Sequence, residues 1–197
     1  STAIYATKKS VFAHTGWKKI DGKYFFLLPG NEKYDVELKG SLQSYRAATT
    51  FNEDDLAYLS GFLYSDFIPH EVSFPCLSLV FLTPLNEFLR RVGHEPKFIL
   101  LLLGRTGSMK STVAALFLSF FGNFSNTDLP MSFRDTANSI IHSSFALKDV
   151  LTCIDDYHPT GRKESDAMKA TMQALARGYG DKAARNRLTA DIQLRET

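Results

Sequence analysis

Six consecutive apolar residues, Phe98-Ile-Leu-Leu-Leu-Leu103, run straight into Gly104-Arg-Thr-Gly107-Ser-Met109-Lys110-Ser111-Thr112, and a second apolar segment, Val113 to Phe121, follows. An apolar run of this length bounded by glycine predicts a buried strand, and the segment from 110 to 121 predicts a helix. Strand, glycine-bearing loop and a helix opening on Lys-Ser form the setting of the phosphate-binding pattern G-x-x-x-x-G-K-[ST]. Backbone N–H groups of such a loop and of the helix N-terminus converge on one point, where a polyanion is favoured. Gly104, Arg105, Thr106, Gly107, Ser108, Met109, Lys110, Ser111 and Thr112 are therefore expected to hold the phosphates of ATP. In that arrangement Lys110 reaches the terminal phosphates and the Ser111 hydroxyl is a ligand of Mg²⁺. Met109 stands where the pattern has its second glycine. Opening the helix, it is expected at negative φ with its side chain turned from the phosphates.

A second signal lies further on. Val150-Leu-Thr-Cys-Ile154 reads as another buried strand and ends in Asp155-Asp156. Parallel strands bring their carboxyl ends to one edge of a sheet, which would place this pair near the loop. Asp155 is expected to hold Mg²⁺, usually through water, and Asp156 to activate the attacking water, or the two in reverse order. A capping Asp followed by a surface Asp is the plain structural alternative.

Composition narrows the class. The chain has 197 residues, 44% hydrophobic and 13% aromatic, enough to fill a core and too apolar for a disordered chain. Cys76 and Cys153 form no CxxC pair and the five histidines are scattered, which argues against a disulfide framework or a zinc site. Both thiols are expected to be buried and free. The richest apolar stretch, Phe67 to Phe88, is broken by three prolines, His70, Glu71 and Glu87, and is expected to be buried core rather than a bilayer span. With no signal peptide in view, the expectation is a cytoplasmic protein without a membrane partner. The start at Ser1 and the end at Thr197 read as those of a piece excised from a longer protein.

Before the loop, residues 10 to 46 read as β-rich. Lys23 to Leu28 is strand-like between Asp21-Gly22 and Pro29-Gly30-Asn31, and a short strand is expected at Tyr34 to Leu38. From Glu53 an acidic first turn with Leu56, Leu59, Phe62 and Leu63 at helical spacing predicts a helix to about residue 64, and a further helical region leads through Pro84 to Arg91. After the loop unit, a short strand at Met131 to Phe133 precedes a helix capped by Asp135, with Ala137, Ile140, Ile141 and Phe145 on one face. Glu164 to Ala176 reads as a helix with Met168, Met172 and Leu175 as a core stripe, stopped by Gly178 and Gly180. The fold expected is α/β: a small β-rich subdomain over 1–51, then a helical lead-in and a three-layer P-loop NTPase core over 52–197, incomplete at its C-terminus.

Between Arg162 and Arg195 there are eight Lys/Arg and four Asp/Glu. Arg177 is the candidate for an arginine finger, reaching a neighbouring subunit's terminal phosphate. Lys182, Arg185 and Arg187 are candidates for contacts with a DNA backbone, beside a hairpin expected over Leu188 to Leu194. A solvated basic face is the alternative. Near the start, Trp17 beside Lys18 and Lys19 either stacks on a base or belongs to the core.

From about Val11 onward the chain resembles the helicase-like domain of unknown function found in primase- and helicase-like proteins of phages, plasmids and integrated elements. The resemblance rests on Phe12-Ala-His-Thr-Gly-Trp17, the loop from Gly104 to Ser111, Asp135-Thr-Ala-Asn-Ser-Ile140, Ile154-Asp-Asp-Tyr-His-Pro159, and Ala176 to Arg187. It departs at Gly178-Tyr-Gly-Asp181, where the family has Gly-Asn-Gly. It implies a ring-forming ATPase that acts on DNA, in single-stranded form, during replication of mobile elements. It also implies a further strand beyond Thr197 whose polar end senses the γ-phosphate. A nucleotide-gated assembly module without unwinding activity is the alternative from another class. A small-molecule kinase is a third, and the chain offers it no obvious acceptor-binding segment.

Overall fold

In the computed structural model, residues 11–31, 33–50, 52–65 and 67–180 are described. Their architecture is mixed α/β, with short strands in two-stranded sheets. Strand β1 (Val11–Phe12) pairs in parallel with β4 (Asp35–Val36), while β2 (Gly16–Ile20) and β3 (Lys23–Leu27) form an antiparallel hairpin. Asp21 and Gly22 both take positive φ, 49° and 81°, the backbone of a two-residue turn whose twist matches the strands it joins. The hairpin register therefore follows from a dipeptide.

Helix α1 (Glu53–Leu63) starts where Asn52 accepts a hydrogen bond from the N–H of Asp54. Helix α2 (His70–Leu82) and helix α3 (Asn86–Arg91) are joined by a 3-10 turn over Thr83–Leu85, so the prolines of this stretch shape it without dividing it. Pro69 precedes the first turn, Pro75 lies inside α2, and Pro84 occupies the 3-10 turn. The expectation of buried core holds for one face: Ile68, Cys76 and Val80 are buried in the core cluster, whereas Phe74, Phe81 and Leu85 are at least half exposed. By length and composition alone its 22 helical residues suffice to cross a bilayer, with a mean hydropathy of 1.4 over the most apolar window. Trp17 ties this stretch to the hairpin, donating from Nε1 to the Pro84 carbonyl at 2.7 Å and packing edge-on against Phe26 and Phe88. Trp17 is thus a packing residue, with its polar edge committed to the backbone.

Helix α4 (Lys110–Leu118) continues as a 3-10 turn to Phe121 and packs on α2. Strand β5 (Met131–Ser132), helix α5 (Ala137–Ala146) and strand β6 (Ile154–Asp155) form a parallel strand pair with a helical crossover, Met131 facing Ile154 and Ser132 facing Asp155. The cap of α5 is Thr136, which accepts from the N–H of Ser139; Asp135 instead accepts from the N–H of Ser132. Helix α6 (Arg162–Gly180) runs through Gly178 rather than stopping there. Its buried stripe of Met168, Thr171 and Leu175 outweighs a glycine that costs about 1 kcal/mol relative to alanine.

The predicted strand over Phe98–Leu103 belongs to no ladder among the described residues, and Leu103 is 87% exposed. An apolar run becomes a buried strand only when neighbours satisfy its N–H and C=O groups and cover its faces. Likewise, of the run from Val150 only Ile154 joins a ladder.

One buried cluster draws on both ends of the described chain, from Leu27, Val36 and Leu42 to Phe117, Ile140 and Leu175. Thr15 donates to the Lys148 carbonyl at 2.8 Å, and the Asp149 carboxylate accepts from the N–H of Trp17 at 3.1 Å. Burial pushes the Asp149 carboxyl upward, opposed by the Trp17 hydrogen bond and by the charge of Arg90. Tyr45 is fully buried, edge-on to Phe124, with its hydroxyl donating to the Leu151 carbonyl at 2.9 Å. Tyr45→Phe removes this part-buried hydrogen bond and is expected to cost about 1–2 kcal/mol. Urea denaturation checks this, with an unchanged m-value showing that the fold is retained.

Candidate functional site

The loop from Gly104 to Lys110 closes on itself. Lys110 Nζ donates to the carbonyls of Gly104 and Arg105 at 2.9 and 2.8 Å and to Ser108 Oγ at 3.3 Å. Gly104 lies under this contact, where a Cβ would sit 2.6 Å from Ser108 Oγ and would force the serine hydroxyl to turn away. Ser108 N–H returns to the Arg105 carbonyl at 3.2 Å, and Gly107 takes φ 82° within that turn. Arg105 and Thr106 are exposed at its tip, and Thr112 is half-buried on the first turn of α4. Lys110 is thus a cation resting on neutral carbonyls, partners that an anion can replace.

Met109 differs from expectation. Its φ and ψ are 58° and 22°, the left-handed region, immediately before α4. A Cβ is strained there, which explains why the pattern carries glycine at this position. The side chain is 55% exposed, so what Met109 contributes is backbone strain rather than bulk in the core.

From α4 the Ser111 hydroxyl donates to Asp155 Oδ2 at 2.7 Å. Asp155 ends β6, parallel to β5, so the carboxyl edge of this pair faces the N-terminus of α4. The serine and the carboxylate assigned to Mg²⁺ are therefore in contact, although they lie far apart in sequence. Their oxygens are hard donors of the kind that Mg²⁺ takes, and the groups present fit the ion. Among the described residues no cluster of three or more His, Cys, Asp or Glu side chains is placed to hold a metal ion.

Asp156 turns the other way. Its φ of 60° re-aims the side chain, which accepts from Ser132 Oγ at 3.4 Å and pairs with Arg134 Nε at 3.4 Å. Ser132 and Arg134 were missed in the sequence, although a signal was present. The edge rule that singled out Asp155 after one strand applies equally to the residues after Met131–Ser132. Beside them, a groove of about 560 Å³ runs between the loop after β5 and α6, with Phe133, Arg134, Met168 and Thr171 in its walls. None of residues 104–112 lines it.

The other candidates are not brought to this edge. Arg177 is exposed on the last turns of α6, and nothing among the described residues links it to the loop. Lys182, Arg185, Arg187 and the expected hairpin at 188–194 lie outside the described residues. Cys76 is buried and Cys153 half-buried, both free thiols. Burial, with a smaller contribution from the charge of Asp155, pushes the Cys153 thiol up to about 12, and burial raises Cys76 as well.

No family model, curated protein or solved structure matches this chain.

Two tests follow from the geometry. Met109→Gly removes the left-handed strain, partly offset by the greater freedom of an unfolded glycine, and is expected to stabilise by up to about 1 kcal/mol. Thermal unfolding should show it as a Tm higher by a few degrees. A thiol with its pKa far above 8 carries little thiolate, so Cys153 in native protein at pH 8 should alkylate roughly a thousandfold more slowly than free cysteine. Reactivity should appear as the pH rises toward 12 or on denaturation, with mass spectrometry reading the modified site.

Proposed function

We propose that this chain binds Mg-ATP at residues 104–112 and hydrolyses it, as a cytoplasmic helicase-like motor module of the P-loop kind. The observation that carries the reading is the 2.7 Å hydrogen bond from Ser111 to Asp155 at the carboxyl edge of a parallel strand pair. Nothing in an unrelated βα turn requires a helix-opening Lys-Ser to meet a strand-ending carboxylate. The resemblance to helicase-like domains of mobile elements supplies the wider role: a homo-oligomeric ring acting on single-stranded DNA, with Lys182, Arg185 and Arg187 on the DNA backbone and Arg177 as the finger.

In this reading Lys110 exchanges its loop carbonyls for the terminal phosphates, and loop N–H groups hold the remaining oxygens. Ser111 and Asp155 hold Mg²⁺, which when bound neutralises charge on the phosphates. Asp156 orients a water molecule and accepts its proton. The water oxygen bonds to the γ-phosphorus, the bond to the β–γ bridging oxygen breaks, and that oxygen keeps the electron pair on ADP. The products are ADP, inorganic phosphate and a proton.

Lys110→Ala is expected to lower ATP affinity at least tenfold in a folded protein, read by calorimetry with circular dichroism as the control. Asp155→Asn should flatten the Mg²⁺ dependence of binding. Asp156→Asn should keep ATP bound while lowering turnover roughly a hundredfold or more. A wild-type turnover rate in both aspartate variants would return the pair to a structural role. Single-stranded DNA should raise the wild-type rate. A rate indifferent to DNA would point to the nucleotide-gated assembly module, and phosphate recovered on an acceptor would point to a kinase.

A further inference from the structure

Arg134 stands two residues past the end of β5, on the same carboxyl edge as Asp155 and Asp156. Its side chain is 73% exposed, and its ion pair with Asp156 is a single contact at 3.4 Å, at the long end of the range. Exposed single pairs of this kind contribute about 1 kcal/mol or less, so the guanidinium is held in place without being fixed there. Its backbone is fixed. The N–H of Arg134 donates to Ser132 Oγ, and the neighbouring Asp135 N–H donates to the Ser132 carbonyl. The charge of Arg134 also reaches Glu164, whose carboxyl is held below the usual range first by its hydrogen bonds from Thr160 and then, more weakly, by Arg134. A long cation on a hydrogen-bonded turn thus lies between the exposed Asp156 and the half-buried Glu164 at the edge of the site.

We infer that Arg134 reads the terminal phosphate: it exchanges between the Asp156 carboxylate and the γ-phosphate of a bound nucleoside triphosphate, and in leaving Asp156 frees that carboxylate for the attacking water. This rests on the proposed nucleotide site and assigns it a residue that distinguishes triphosphate from diphosphate. A dianionic phosphate offers a guanidinium two parallel charge-assisted hydrogen bonds, and a single long contact to Asp156 is the weaker partner. ADP lacks the group, so with ADP bound Arg134 stays on Asp156. The exchange makes and breaks only hydrogen bonds, and hydrolysis balances as written above, with the water's proton going to the carboxylate that Arg134 has vacated.

The test compares Mg-ATP and Mg-ADP affinities of wild type, Arg134→Ala, Arg134→Lys, Asp156→Asn and the Arg134→Ala/Asp156→Asn double variant, with circular dichroism on each. Arg134→Ala is expected to weaken Mg-ATP binding roughly tenfold or more while shifting Mg-ADP by less than about twofold, with Arg134→Lys between. Asp156→Asn is expected to tighten Mg-ATP in the presence of Arg134 by more than it does in the Arg134→Ala background. A carboxylate that merely repels the phosphate would give the same gain in both backgrounds, which is what the cycle separates. If wild type binds both nucleotides and folded Arg134→Ala keeps the wild-type ratio of affinities, the role of Arg134 is overturned and the site stands. If wild type binds neither nucleotide, both readings fall.

Discussion

The hydrogen bond from Ser111 to Asp155 joins segments 44 residues apart and sets the geometry of everything around it. It requires the N-terminus of α4 to meet the carboxyl end of β6, and therefore requires β6 to run in a fixed direction. That direction is set by the parallel pairing with β5 and by the crossover through α5. Contacts from the first half of the described chain brace this unit: Thr15 and Trp17 at the turn after α5, and Tyr45 on the segment leading into β6. A loss anywhere in that bracing would reach the site as a displacement of Asp155 against Ser111.

The two adjacent carboxylates take separate partners because Asp156 leaves the strand conformation. Four non-glycine residues among those described have positive φ: Asp21 in the hairpin turn, Asp149 where it holds the Trp17 N–H, and Met109 and Asp156 on either side of the Ser111–Asp155 bond. Aspartate takes this conformation at modest cost, whereas methionine does not. Departures of this kind persist where surrounding structure holds them, and they concentrate at sites that need a side chain aimed against the local trend. Met109 fixes where the helix starts, and Asp156 sends one carboxylate to Ser132 and Arg134 and leaves the other on Ser111.

What was legible in the sequence was what short-range chemistry decides. Asp21-Gly22 marks the turn before β3, although its partner strand at 16–20 went unread; Asn52 and the acidic turn after it start α1, and Lys110-Ser111 after a glycine-bearing loop starts α4. The Asp155-Asp156 doublet was readable, as was the edge on which it falls. The strand at 98–103 was misread because apolar composition records a demand for cover without naming what supplies it. The prolines between 67 and 88 suggested a broken, buried segment, yet the helical turns on either side of Pro84 align well enough to continue. Arg134 was passed over because an arginine after a two-residue strand carries no local mark. Its meaning comes from Asp156, brought beside it by the fold.

The central claim is that Ser111 and Asp155 form one Mg²⁺ site beside the loop. Substituting Mn²⁺ for Mg²⁺ in a complex with ATP makes that claim directly visible, because a paramagnetic ion broadens the NMR signals of the amides nearest to it. Broadening that begins at residues 104–112 and 154–156 together, and disappears when the nucleotide is omitted, is the result this account predicts. Broadening centred elsewhere, or confined to one of the two segments, would contradict it.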